Sequence, residues 1–185
     1  VMELSAEETS AALGITGGNV HVALHRARAA LSSYDRSRLR PTPEVQAATR
    51  ALLERFAMLA ASGDVAGLTA LLEPGVTAVS DGAGRYASSP QPISGVERVA
   101  LLYARLAMRP IAGEFALRMT NGLPSLWVRH AAPPGKNSPR TVTQVVPGAM
   151  GGVARVWAVV VPEKVVAEPV GVAWLPLPTA PRLTS

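Results

Sequence analysis

Two sets of side chains in this sequence have the types and spacing to do chemistry. The first is Gly17, Gly18, Asn19, His21, His25, Arg26 and Arg28. Small residues let a backbone approach phosphates closely, and the imidazole, amide and guanidinium groups behind them reach phosphate oxygens or base edges. His21 and His25 also stand four apart, a spacing zinc can use, but Val22 fills the place of the glutamate in a His-Glu-x-x-His pattern. With three histidines and no cysteine, no metal site is expected. The second set, Asp81, Tyr86, Tyr103 and His130, holds groups that move a proton or stabilise an enolate. Each has a plainer reading too. Asp81 precedes Gly82 in a tight turn, where Asp is selected for local backbone hydrogen bonds, and His130 reads as a solvent-facing loop residue before Ala131-Ala132-Pro133-Pro134-Gly135. Trp127 and Trp157 read as core or pocket lining. No phosphate-binding glycine loop is present, so no cofactor is implied.

The elements that must position the first set are legible locally. Ser5 with Glu8 three residues on forms a capping box that starts a helix, and Gly14 ends it. Ile15 is expected to pack in the turn while Thr16 caps a second helix, in which Val20, Leu24, Ala27 and Leu31 make a buried stripe. Gly18, His21, His25 and Arg28 then occupy the opposite side. The pattern predicts a helix-turn-helix over residues 1–31, with an ordinary helical hairpin carrying a basic face as the plain alternative.

Composition bounds the rest. The 185 residues are 48% hydrophobic with a net charge of +5, enough for a sizeable core and suited to a polyanionic partner. The charge does not mark the helical segment: residues 1–40 hold five arginines against four acids, whereas residues 111–185 hold seven bases against three acids. Absence of cysteine excludes disulfides and thiolate chemistry. No apolar run or export pattern is present, so a cytoplasmic location without membrane contact is expected. The start at Val1, inside what reads as a longer helical domain, leads to the expectation that an N-terminal part is missing.

Residues 32–42, polar, basic and closed by Pro41 and Pro43, read as a linker. Thr42 and Pro43 open a helix with Val45, Leu52, Phe56 and Leu59 on its apolar face, Gly63-Asp64 starts a shorter one ending near Leu72, and a third follows Ser94-Gly95. Glu73-Pro74-Gly75 is expected to break the chain before a strand over 76–80. Further strands are expected over 115–120, 126–130, 141–146 and 153–161. Helices followed by antiparallel strands imply an α+β domain in which a curved sheet wraps against helices. The proline-rich tail 166–185 is expected to be irregular or to pack on the sheet edge.

The run from Gly17 to Arg28 resembles region 4 of sigma-70 class transcription factors, especially the extracytoplasmic-function group, whose second helix carries a small-Gly-polar-Val start and a His-Arg-Ala-Arg end. Residues 43–165 resemble the SnoaL-like domain, a nuclear transport factor 2-like cone. The pieces that carry this are Gly63 to Leu68, Val79-Ser80-Asp81-Gly82-Ala83-Gly84-Arg85, Asn121-Gly122-Leu123-Pro124 and Val161-Pro162-Glu163-Lys164-Val165. Some extracytoplasmic-function sigma factors carry such a domain with an Asp-Gly-Gly-Gly-Lys turn and an Asn-Pro-Asp-Lys-Leu ending. Ala83, Arg85, Val161, Glu163 and Val165 depart from those patterns. The resemblance implies the C-terminal part of such a factor, with promoter −35 DNA and RNA polymerase core as partners. It further implies a regulatory interface at Asp81, Gly82, Gly84, Arg85, Pro162, Glu163 and Lys164. The same superfold also hosts isomerases, cyclases and small-molecule sensors, so an enzyme with a helical appendage and a ligand-sensing domain stand as alternatives.

Overall fold

The computed structural model describes residues 4–37, 39–109, 111–131, 133, 135–165 and 173–177. Arg38 of the expected linker, Ala132 and Pro134 after His130, and most of the tail lie outside the described residues. The chain separates into two compact units between Arg40 and Pro41.

The first unit is a pair of helices in contact, α1 (Ala6–Leu13) and α2 (Gly17–Ser37). Ser5 Oγ accepts the Glu8 amide at 3.1 Å while Glu8 accepts the Ser5 amide at 2.7 Å, so the capping box is complete. Gly14 turns the chain in the left-handed region at φ 64°, and Thr16 Oγ1 accepts the Asn19 amide at 3.3 Å at the start of α2. Two expectations fail here. Helix α2 continues to Ser37 through residues read as linker, because serines and charged residues are tolerated in a helix and the first real breaker is Pro41. Of the expected apolar stripe only Val20 is buried, while Ile15, Leu24, Ala27 and Leu31 are exposed, since α1 is too short to cover them.

The second unit begins with α3 (Pro43–Ala61) and α4 (Val65–Leu71). Thr42 caps α3 through the Val45 amide and Asp64 caps α4 through the Gly67 amide at 2.8 Å. A Cβ at Gly67 would crowd the Asp64 carboxylate and Leu59 Cδ2, so a larger residue there displaces the capping side chain. The strands are β1 (Leu72–Asp81), β2 (Ile93–Ser94), β3 (Gly113–Thr120), β4 (Leu123–His130), β5 (Arg140–Pro147), β6 (Val153–Val159) and β7 (Leu175–Pro176), with helix α5 (Val96–Ala107) between β2 and β3. Among the described residues they form one sheet in the order β2-β1-β6-β5-β4-β3-β7. Asn121 and Gly122, both at positive φ, make the two-residue turn that joins β3 to β4.

Burial follows the strand alternation. One sheet face, with Val76, Ala78, Val145, Val153 and Val156, packs on Leu53, Phe56, Leu68, Val99, Ala100 and Ala104 of the helices. The other carries Trp127 and Val142 in a smaller cluster with Val165 and Trp174. The sheet is not wholly antiparallel as expected: β1 runs parallel to β6, from Thr77 opposite Arg155 to Asp81 opposite Val159. Glu73-Pro74-Gly75 does not separate helix from strand either. Those residues lie inside β1, in an irregularity of the pairing between Leu72 and Thr77, where a proline and a glycine are tolerated.

Candidate functional site

The parallel pairing has a direct consequence for the two segments singled out in the sequence. Parallel neighbours finish at the same end of a sheet, so the turn after Asp81 and the segment after Val159 leave together although about 80 residues separate them. Val160 donates its amide to the Asp81 carbonyl at 2.9 Å, and buried Val161 then anchors a 3-10 turn over Pro162–Lys164.

Local chemistry shapes each segment. Asp81 Oδ1 accepts the Ala83 amide at 3.0 Å, which holds the chain through the positive φ of Ala83 and Gly84. The Gly82 carbonyl accepts the amides of Arg85 and Tyr86 at 2.9 and 3.0 Å. Gly82 has no room for a side chain: a Cβ would sit 2.2 Å from Ser88 Oγ and 2.6 Å from the Tyr86 carbonyl.

The two segments then clip together by opposite charges. Lys164 Nζ donates to Asp81 Oδ2 at 2.5 Å, and Arg85 donates to Glu163 Oε1 at 2.9 Å. All four side chains are about half exposed or more, so each pair alone adds little to stability. Their effect on charge is clear. The Lys164 hydrogen bond, with the Ala83 amide, holds the Asp81 carboxyl below its ordinary range, and Glu163 is lowered chiefly by its own amide at the start of the 3-10 turn, with Arg85 adding. Asp81, Gly84, Arg85, Pro162, Glu163 and Lys164 thus lie together with paired charges over the buried Gly82, and the ion pairs that join the two segments are what the sequence did not reveal.

The residues considered for proton transfer are dispersed. Asp81 is committed to the clip. Tyr86 follows the turn, with the Arg85 guanidinium 5.8 Å from its ring centre. Tyr103 packs edge-on against Phe56 at 5.0 Å, and burial pushes its hydroxyl well above the usual range. His130, at the end of β4 opposite Gly113, is half-buried rather than solvent-facing; its Nδ1 is buried with no partner, and burial lowers the imidazole. Among the described residues no hydrogen bond joins any two of these four. A hollow of about 230 Å³ lies elsewhere, lined by Arg55, Leu72, Glu73, Pro74, Met150 and Gly152 among others. There Glu73 accepts the amides of Met150 and Gly152, which ties the β5–β6 loop to the start of β1.

On α2, Gly18, Asn19, His21, His25, Arg26 and Arg28 are all exposed and Gly17 is partly so. At about 100° per residue, His21, His25 and Arg28 share an arc of about 60° with Gly17 and Gly18 close by, whereas Asn19 and Arg26 lie about 100° or more round the helix. They therefore divide into two faces.

One cluster escaped the sequence reading. Trp174 lies over two guanidinium groups, Arg118 at 4.5 Å and Arg129 at 4.4 Å, and Arg118 is also 5.5 Å from the Trp127 ring. The even spacing of Arg118 with Thr120 on a strand could have placed it on the face of Trp127, but nothing local points to residue 174 as its cover.

No family model matches the chain, and no curated protein sequence does. Among solved structures, the extracytoplasmic function sigma factor SigJ of Mycobacterium tuberculosis matches with a TM-score of 0.58 at 20% identity, over 91% of this chain and 57% of that one. A steroid delta-isomerase from Pseudomonas aeruginosa matches at 18% identity and a TM-score of 0.46, over 65% of this chain and 84% of the other. An NTF2-like protein of unknown function from Mesorhizobium loti matches at 17% identity and a TM-score of 0.47, over 63% and 93%. No helix among the described residues is long and apolar enough to cross a membrane. The likeness to SigJ is one of fold, and this chain spans 57% of that protein's length.

Proposed function

We propose that this chain is the C-terminal part of an extracytoplasmic-function sigma factor, acting in the cytoplasm as a transcription initiation factor rather than an enzyme. The α1–α2 pair serves as part of region 4, reading the promoter −35 element and contacting RNA polymerase core. The sheet unit serves as a SnoaL-like regulatory domain. The observation that carries this reading is the SigJ match: its 91% coverage is too broad to fit within the sheet unit alone, and the Gly17–Arg28 run independently resembles a region 4 recognition helix. His21, His25 and Arg28 form the DNA face on this reading, with Gly17 and Gly18 admitting the phosphate backbone and Asn19 and Arg26 flanking it. The charged clip at Asp81–Arg85 and Pro162–Lys164 is the surface through which the second unit acts on the sigma domains.

The test is selection of the chain against a random duplex library, followed by binding to the enriched sequence. Enrichment of a short motif, with Arg28→Ala weakening every sequence and His25→Ala relaxing choice at one position, is the expected result. No enrichment, or enrichment unchanged by both substitutions, overturns the assignment of this face. The second reading, a small molecule bound or turned over by the sheet unit, is favoured by the unpartnered Nδ1 of His130. It takes precedence if a ligand protects the chain from unfolding and His130→Ala abolishes that protection, with release of a product that His130→Ala also abolishes marking an enzyme rather than a sensor.

A further inference from the structure

The tail segment Ala173–Leu177 docks on the second unit in the manner of a bound peptide. Its backbone adds to the exposed edge of β3, with Leu175 opposite Phe115, Pro176 opposite Glu114, and the Leu177 amide donating to the Gly113 carbonyl at 2.9 Å. Its side chains are read selectively. Leu175 and Pro176 stay exposed, while Trp174 and Leu177 are partly buried. Trp174 is held face-on by the guanidinium groups of Arg118 and Arg129, the arrangement in which a cation meets the negative face of an indole.

The receiving surface is built without the tail. Arg129 is fixed by a 2.5 Å ion pair with Glu114, its direct cross-strand neighbour, and Arg118 is held against Trp127, whose indole N–H donates to Thr120 Oγ1 at 3.1 Å. Gly113 has no room for a side chain, because a Cβ there would lie 2.4 Å from the Arg129 carbonyl on β4 and 3.0 Å from Leu177 Cδ1 of the tail. A rigid sheet edge with two oriented cations is a strand-accepting site, in which main-chain bonds supply affinity and the arginine pair supplies the choice of side chain. Pro176 has no amide hydrogen to offer, so the docked strand resists further growth of the sheet.

The geometry points to a peptide-binding site on the β3 edge, specific for an extended segment led by tryptophan and followed by aliphatic and proline residues, which the chain's own tail occupies in cis. Because the contact is short, a segment of the same type supplied in trans exchanges with the tail. The site uses none of the residues of the charged clip and does not depend on the sigma-factor reading.

The experiment compares the full chain with the chain ended after Val172, using a fluorescently labelled peptide of sequence Ala-Trp-Leu-Pro-Leu-Pro and a second peptide with Trp replaced by Ala. The shortened chain is expected to bind the first peptide saturably. The full chain should bind it roughly tenfold or more weakly, because the tethered tail competes at high effective concentration. The alanine peptide should bind neither. Failure of a folded shortened chain to bind, or equal binding of both peptides, overturns the proposal. Should the shortened chain not fold by circular dichroism, the full chain carrying Trp174→Ala replaces it and the same outcomes decide.

Discussion

The two units of this chain are stabilised in opposite ways. In the first, Val20 is the sole apolar side chain fully buried among the described residues, and Leu13, Leu24 and Leu31 are 64%, 43% and 54% exposed. Its order comes from local devices: the Ser5–Glu8 capping box, the left-handed Gly14 and the Thr16 cap. The second draws on contacts distant in sequence, with Leu53, Leu68, Val76, Val99, Val145, Val153 and Val156 wholly removed from solvent. Caps direct where a helix begins and ends, but they do not replace a buried face, and a helix as short as the eight residues of α1 is marginal in water. The first unit therefore opens at lower free energy than the second. Native-state hydrogen exchange should show the α1 and α2 amides exchanging through local opening while those of β5 and β6 exchange only with global unfolding.

The largest effects that test this contrast are core truncations. Leu68→Ala, at a site with no solvent exposure, is expected to cost about 2–5 kcal/mol in denaturant unfolding of the sheet unit. The matched change Leu31→Ala in α2 should stay within about 0.5 kcal/mol. A large loss at Leu31 would show that its apolar face is covered in solution and would break the comparison.

Next in size is Gly82→Ala. The added methyl has nowhere to go between Ser88 Oγ and the Tyr86 carbonyl, so the turn must shift at a cost of about 1–3 kcal/mol. Alanine at Gly84 reports a different cause. Space is open there but φ is +69°, so the penalty is backbone strain alone, of order 1 kcal/mol. Thermal unfolding of both variants separates the two causes by their rank.

How much of this was legible in the sequence divides along the same line. The caps at Ser5, Thr42 and Asp64 were readable because each is decided within four residues. The strand ends of β3 to β6 were approximated for a similar reason, alternation being local. The parallel partner of β1 was not readable, since nothing in residues 72–81 records that a strand about 75 residues later will lie beside it, or in which direction it will run. The resemblance grouped the two segments of the charged clip, but the ion pairs between them and the Arg–Trp stack were not readable for the same reason: each joins segments tens of residues apart, and Asp81 and Lys164 taken singly are ordinary surface residues. The helical run through Ser32 to Ser37 departs from the linker its polar composition suggests, because no residue before Pro41 forbids a helix.

A smaller effect concerns acid. Burial lowers the His130 imidazole from its ordinary value near 6.5, so the folded sheet unit binds this proton less readily than the unfolded chain does. Its contribution is fully present above about pH 6.5 and is lost as pH falls through the folded value. Acidification from about pH 7 to about pH 5 should therefore destabilise the sheet unit, and His130→Gln should flatten that part of the curve. An unchanged slope would mean that His130 is solvated and that the unpartnered Nδ1 has found water.

The smallest expected change in stability, and the sharpest local signal, lies in the charged clip. Asp81 is held below the ordinary carboxylate range first by the Lys164 hydrogen bond and then by the Ala83 amide. Its ionised form stabilises the fold at all pH values above the unfolded value near 3.9, and this is lost only as pH falls through the lower folded value. At neutral pH, Lys164→Met should thus barely move the unfolding midpoint, since an exposed pair contributes little. Carbon-detected titration of the Asp81 carboxyl should nevertheless show its midpoint rising toward the ordinary range in that variant. It should rise less in Arg85→Met, because Arg85 engages Glu163 instead. Equal shifts in the two variants would mean that the four charges act as one diffuse patch rather than as two pairs. That difference bears on function, because two specific pairs fix the Asp81–Arg85 turn against the 3-10 segment in one register. A partner reading this surface then meets a rigid shape instead of four mobile charges.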